Sequence, residues 1–233
     1  MLKVDGISRS YGDLKVVDQL SFTVNEGEFV ALLGPSGCGK STSLKMIAGL
    51  EVPDEGSIHL DGRDITQLSP GDRKLAMVFQ SYALFPHLKV EENILFGLQA
   101  RKVPKNEQKK RLDSVVELVG LGDHLQKKPG QLSGGQCQRV ALARAIVAQA
   151  KLCLMDEPLS NLDAKLRNEM RTEIRALQQR LGMSVIYVTH DQVEAMSMAD
   201  RIVLMNDGKV EQVDVPEALY SKPKTIFTAQ FIG

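Results

Sequence analysis

Phe29-Val30-Ala31-Leu32-Leu33-Gly34-Pro35-Ser36-Gly37-Cys38-Gly39-Lys40-Ser41-Thr42 decides the fold of this chain. Five apolar residues in a row suit a strand buried on both faces. A glycine-rich turn follows, and Leu44, Ile47 and Leu50 then continue at helical spacing. Within this strand, loop and helix, Gly34 to Ser41 reads Gly-x-x-x-x-Gly-Lys-Ser. Glycines let successive backbone amides curl inward, and the helix N-terminus adds a partial positive charge, so the loop is suited to phosphate oxygens. Lys40 is placed to neutralise β- and γ-phosphates and the Ser41 hydroxyl to ligate Mg²⁺, with Ser36, Gly37, Cys38, Gly39 and Thr42 completing the cradle.

Three further short apolar runs, Leu152–Met155, Val185–Val188 and Ile202–Met205, have the same buried-strand character. Between two of them, Asp163 to Leu181 carries Leu166, Met170, Ile174, Leu177 and Leu181 on one helical stripe, stopped by Gly182. Strand, helix, strand is the pattern of a parallel sheet. Leu152–Met155 runs into Asp156 and Glu157, and a carboxylate at the end of a buried strand is costly unless it meets a cation or a donor. Asp156 suits the Mg²⁺ shell through water, and Glu157, one residue further out, suits a general base on an attacking water. Val185–Val188 leads to Thr189-His190-Asp191. Strand C-terminal ends are where open α/β sheets place ligands, so His190 is a candidate for contact with the γ-phosphate or the water. His59, His87 and His124 lack such a context and read as structural. Gln80 follows the apolar Leu75–Phe79, where its amide can reach Mg²⁺ or water or can mark a junction between subdomains.

Outside these runs, Leu2–Ser8 and Val17–Val24 read as half-buried strands with turns at Gly12 and Glu26-Gly27, predicting a small N-terminal antiparallel sheet. Residues 81–150 hold no comparable strand and read as helices broken at Pro86, Pro104, Gly120, Gly122 and Pro129. The expected architecture is an α/β phosphate-loop core with a mixed, mainly parallel sheet, formed by residues 1–80 and 151–233, with 81–150 as an inserted helical subdomain. Arg101–Arg111 carries six basic residues against Glu107 and reads as a solvated helix face. The 233 residues balance 29 Lys and Arg against 29 Asp and Glu, so nothing global draws the chain to nucleic acid. Apolar runs of five or six residues fall far short of the roughly 20 that span a bilayer. Met1 leads into Leu2-Lys3-Val4-Asp5 without a secretory pattern, which predicts a cytosolic chain. Three cysteines without zinc spacing predict reduced thiols.

The remaining motif is Leu132-Ser133-Gly134-Gly135-Gln136, just ahead of the Asp156 strand. With it, the whole chain resembles the ATP-binding cassette ATPases. The family's motifs occur in order: an aromatic A-loop at Tyr11, Walker A at Gly34–Thr42, the Q-loop Gln80 and the signature at Leu132–Gln136. Walker B follows at Leu152–Asp156 with Glu157, then a D-loop at Ser160–Asp163 and the switch His190. Ser81–His87, Asp156–Asp163 and His190–Met196 are similar to importer ATPases of the maltose, sugar and glycerol-phosphate type, with polyamine and ferric-iron importers close. The resemblance implies a head-to-tail homodimer around two Mg²⁺-ATP. Ser133, Gly134, Gly135, Gln136 and Asp163 of one protomer would then serve the nucleotide held by the other, and Tyr11 would stack on adenine. It also implies a place on the cytoplasmic face of the membrane. There the helical subdomain receives a permease, an external solute-binding protein acts indirectly, and carbohydrate is the expected cargo.

Two positions depart from the family pattern. Cys137 stands where Arg or Lys is usual, and Ser43 where an aliphatic residue is commoner. The resemblance also implies a β-rich regulatory domain beyond Phe231-Ile232-Gly233, which points to a shortened chain. Repair-type cassettes need a long coiled-coil insertion, and the about 90 residues from Ser41 to Leu132 leave no room for one. Translation-type cassettes pair two copies in one chain. A phosphate-loop kinase would leave Leu132–Gln136 without a role.

Overall fold

The computed structural model describes residues 1–233. A six-stranded sheet forms the centre, from β3 (Phe29–Leu33), β6 (Ala76–Val78), β7 (Leu152–Asp156), β8 (Ser184–Thr189), β9 (Arg201–Asn206) and β10 (Lys209–Asp214). Its order is β10-β9-β3-β8-β7-β6, and only the β9–β10 hairpin is antiparallel. Every residue of β3 and β8 is buried, as continuous apolar runs require between covering layers. Register then fixes the site. Leu33 pairs with Thr189, Asp156 with Val188 and Val78 with Met155, so the chain leaves β3, β7, β8 and β6 along a single edge.

A second sheet is antiparallel in the order β2-β1-β4-β5, built from β1 (Leu2–Tyr11), β2 (Leu14–Val24), β4 (Glu55–Leu60) and β5 (Arg63–Asp64). The expected pair β1 and β2 is present with its turn at Gly12. The last two strands carried no apolar signal, since Ile58 is their one fully buried side chain. Together the two sheets enclose α1 (Lys40–Ala48), whose Leu44, Met46 and Ile47 pack on Val30, Leu32 and Ile186. Leu50 does not continue that helix. Gly49 ends it in a left-handed conformation, and Leu50 lies beyond it, exposed.

The short α2 (Pro70–Arg73) leads into β6. Helices α3 (Val90–Ala100), α4 (Lys105–Val119) and α5 (Gly134–Val147) then share an apolar core of their own, including Ile94, Leu98, Val115, Val119, Val140 and Val147. Helix α6 (Ala164–Leu181) joins them to the sheet, burying Met170, Ile174 and Leu177. Leu181, the predicted end of that stripe, is exposed in the last position of α6, just before the Gly182 cap. Helices α7 (Gln192–Met198), α8 (Pro216–Ser221) and α9 (Ile226–Ile232) cover the remaining face around Ala31, Leu33 and Leu204. No helix is long and apolar enough to cross a membrane.

Candidate active site

At the shared edge the phosphate loop is closed by its own lysine. Lys40 is almost wholly buried, and its Nζ donates to the carbonyls of Gly34 at 2.8 Å and Pro35 at 2.7 Å. Gly39 has φ 96°, and a β-carbon there would lie 2.5 Å from the Val16 carbonyl oxygen, so only glycine brings the loop this close to β2. Ser36 and Gly37 are exposed, Thr42 is half-buried, and these line a cleft of about 270 Å³ with Lys40, Ser41 and Glu157. Cys38 turns the other way, into the core, where burial pushes its thiol up. All three cysteines are free, and complete burial holds that of Cys153 up to about 12.

Ser41 Oγ donates to Asp156 Oδ1 at 2.8 Å, so the loop and the β7 carboxylate already share a hydrogen bond. Burial raises the Asp156 pKa, and the neighbouring Glu157 adds to the rise while the Ser41 bond opposes it. A hydroxyl and a desolvated carboxylate in contact form a hard oxygen donor set, which fits Mg²⁺ retaining several of its waters.

Glu157 adopts φ 42°, an uncommon conformation for a residue with a side chain, and its amide donates to the Val188 carbonyl at 3.0 Å. The turn places Oε1 3.2 Å from His190 Nδ1. The two residues expected to handle the attacking water therefore meet across β7 and β8. Behind them lies a polar recess of about 60 Å³ that reaches Arg167 and Glu194.

Gln80 is exposed, and its carbonyl accepts from Asn161 Nδ2 at 2.8 Å. Its side-chain amide makes no hydrogen bond with Ser41 or Asp156, so the contact that is present at Gln80 belongs to a junction. That junction continues through Tyr82 and Ala83, with φ 61° and 48°, whose carbonyls accept from Arg144 of α5 at 2.7 and 2.6 Å. Tyr11 ends β1 half-exposed, with the Arg9 guanidinium 5.2 Å from its ring centre and its hydroxyl bonded to Glu51.

Ser133 caps α5. Its Oγ accepts from the Gln136 amide at 3.3 Å, while Gln136 Oε1 accepts from the Ser133 amide at 2.9 Å, a reciprocal capping box. Gly134 and Gly135 have a packing role that the ligand-centred reading lacked. Added β-carbons would lie 3.2 Å from Leu162 and 3.0 Å from Leu166, so these glycines seat α5 against the start of α6. Asp163 caps α6 by accepting from the Leu166 amide at 3.0 Å. Cys137 Sγ lies 3.8 Å from the Pro129 carbonyl. No hydrogen bond joins residues 133–136 to the phosphate loop of the same chain.

Four residues that the sequence reading passed over belong to this arrangement. His124, read as structural, has Nε2 2.9 Å from Gln136 Nε2, beside the signature. Arg144 and Arg167 reach elements distant in sequence, while Glu194 bonds to Tyr187 and Thr189 of the strand just before it; only Glu194 carried a signal, as the third residue after the helix-starting Asp191.

Comparison with known proteins agrees with this geometry. The ABC transporter family profile matches residues 17–160. The chain is 52% identical over 232 residues to the sn-glycerol-3-phosphate import ATP-binding protein UgpC of Ruegeria pomeroyi, covering 100% of this chain and 66% of that protein. It is 51% identical over 233 residues to the spermidine/putrescine import ATP-binding protein PotA of Bacillus anthracis, covering 100% of this chain and 71% of the relative. The chain thus spans about two thirds of the length of these curated relatives. A solved structure, the dimeric structure of MJ0796, a bacterial ABC transporter cassette, superposes with TM-score 0.81 at 32% identity, covering 93% of this chain and 99% of that one. A phosphate loop bonded to a buried strand-end carboxylate, a Glu157–His190 pair and a capped Leu132–Gln136 stretch, all within that matched fold, place the chain in the ABC transporter family.

Proposed function

We propose that the chain is the ATP-binding and ATP-hydrolysing subunit of an importer, working as a head-to-tail homodimer around two Mg²⁺-ATP. The observation that carries the reading is the convergence of Lys40, Ser41, Asp156, Glu157 and His190 on one strand edge. Lys40 and the amides of residues 36–42 hold the β- and γ-phosphates. Bound Mg²⁺, held by Ser41 and through water by Asp156, supplies charge neutralisation at the phosphates. Glu157 takes the proton of the attacking water, and His190, held against it, orients water and γ-phosphate. Ser133 to Gln136 and Asp163 act on the nucleotide of the partner protomer, and a dimeric cassette among the structural neighbours supports this arrangement. Residues 81–150 form the face toward permease subunits. The chain then works at the cytoplasmic face of the membrane through that permease, with a solute-binding protein as an indirect partner.

Glu157→Gln keeps the size of the side chain and its contact with His190 while removing the base. Turnover should fall by about 10²- to 10⁴-fold, with ATP binding retained and an ATP-dependent dimer on gel filtration. Wild-type turnover in this variant refutes the assignment. For cargo we favour carbohydrate or its phosphate ester, in line with the glycerol-phosphate relative. The polyamine relative, equally similar, supports polyamine as the second reading, with ferric iron behind it. The solute that stimulates ATPase activity in the assembled complex with permease and binding protein decides between them.

A further inference from the structure

We propose that Arg167, Thr189 and Glu194 are positioning residues for His190, tying the strand end that carries it to the turn that follows Glu157. The inference rests on the hydrolytic reading above.

Glu194 is buried on α7, 3% exposed, although it is a carboxylate. Its Oε2 accepts from the Tyr187 hydroxyl at 2.9 Å and from Thr189 Oγ1 at 2.7 Å. Thr189 Oγ1 in turn accepts from the Asp191 amide at 3.0 Å. The residues on both sides of His190 are therefore fixed to one hydroxyl, and that hydroxyl to Glu194. Asp191-x-x-Glu194 has the spacing of a capping box, in which the glutamate would return to the amide of the capping residue. Here Thr189 takes that amide, and Glu194 turns inward instead.

Arg167 on α6 supplies the second half of the tie. One of its terminal nitrogens donates to the Leu162 carbonyl at 3.0 Å, and the other lies 3.6 Å from Asp191 Oδ2. Its Nε is buried, has no hydrogen-bond partner, and lies 3.9 Å from Glu194 Oε1. Buried guanidinium N–H groups without acceptors are rare, and a shift of about 1 Å would bring this one within bonding distance. None of the three residues belongs to the phosphate loop or the Ser41–Asp156 pair. Their action on the reaction passes through His190 and the Glu157 turn.

The test uses Glu194→Gln and Arg167→Gln in the full chain. In each, kcat for ATP should fall about 10- to 100-fold, the effect of a displaced reacting group, with nucleotide affinity within twofold of wild type. The imidazole ¹⁵N signals of the four histidines provide a readout that needs no turnover. The His190 signal should shift in both variants, while those of His59, His87 and His124 stay in place. Either variant, folded with a wild-type melting temperature, overturns the proposal if kcat is unchanged and the His190 signal does not move. Should Glu194→Gln fail to fold, Arg167→Gln, at a partly exposed position, decides alone. A wild-type protein that does not hydrolyse ATP sinks the hydrolytic reading, and the His190 signal still reports whether the tie exists.

Discussion

Gly135→Ala separates two reasons for a glycine in the Leu132–Gln136 stretch. If the residue is small only so that a ligand can approach, alanine leaves the folded chain no less stable. Helix propensity then favours alanine by at most about 0.8–1.0 kcal/mol, the value for a helix interior, because Gly135 is the second residue of α5. The structure predicts the opposite sign. The new methyl would lie 3.0 Å from both Leu166 methyl carbons and 3.4 Å from Cγ, tighter than most packed contacts, so Leu166 must give by a few tenths of an ångström. Overpacking of this kind costs about 1–3 kcal/mol. After the helix gain, a net loss of about 1 kcal/mol is expected, a fall in melting temperature of about 2–4 °C in a chain of this size. Leu166→Ala removes the opposing methyls, and in that background Gly135→Ala should become stabilising by up to about 0.8–1.0 kcal/mol. Thermal and urea unfolding of the four proteins closes the cycle. Effects that add within about 0.5 kcal/mol, with Gly135→Ala stabilising in both backgrounds, refute the packing argument.

Lys40→Ala should weaken ATP binding by about 10- to 100-fold, the value of a charged hydrogen-bond donor on phosphate, and unchanged affinity in a fluorescent-nucleotide titration counts against the assignment. Asp156→Asn should raise the melting temperature at pH 7 without nucleotide, because burial lifts this carboxyl above its ordinary 3.8 and makes its ionised form the destabilising one. The sign follows from the raised value: the penalty is absent below pH 3.8, grows as pH rises through the folded-state pKa, and the gain from asparagine should therefore vanish toward pH 3. The same variant should lose most of the stabilisation that Mg²⁺-ATP confers on the wild type; a nucleotide-free variant less stable than wild type at pH 7 refutes the argument.

The central sheet and its site were legible because both rest on local signals. Phe29–Leu33, Leu152–Met155, Val185–Val188 and Ile202–Met205 are apolar without interruption, and all four are buried strands. Parallel pairing of such strands leaves their C-terminal ends on one edge, which puts Lys40, Asp156, Glu157 and His190 together. What escaped was contact between elements distant in sequence. β4 is held by backbone pairing to β1 and the edge strand β5 by pairing to β4, and their side chains are too polar to announce them. Nothing within α5 shows that Arg144 reaches back 62 residues to Tyr82. The packing role of Gly134 and Gly135 depends on Leu162 and Leu166, which follow only after β7. Glu194 was visible as a helix-capping pattern and was put to another use by Thr189.

The Arg144 clip on Tyr82 and Ala83 bears on how firmly the helices are joined to the sheet. Left-handed backbone costs roughly 1–2 kcal/mol per residue that carries a side chain, so this pair opposes the observed arrangement by about 2–4 kcal/mol. Two charge-assisted hydrogen bonds, worth about 1.5–3 kcal/mol each, hold it in place. The two contributions are of similar size, so the backbone at Tyr82 and Ala83 depends on the Arg144 bonds for its conformation. Removing that one guanidinium would leave the left-handed pair held by the packing of Tyr82 and Leu84 on the core beneath.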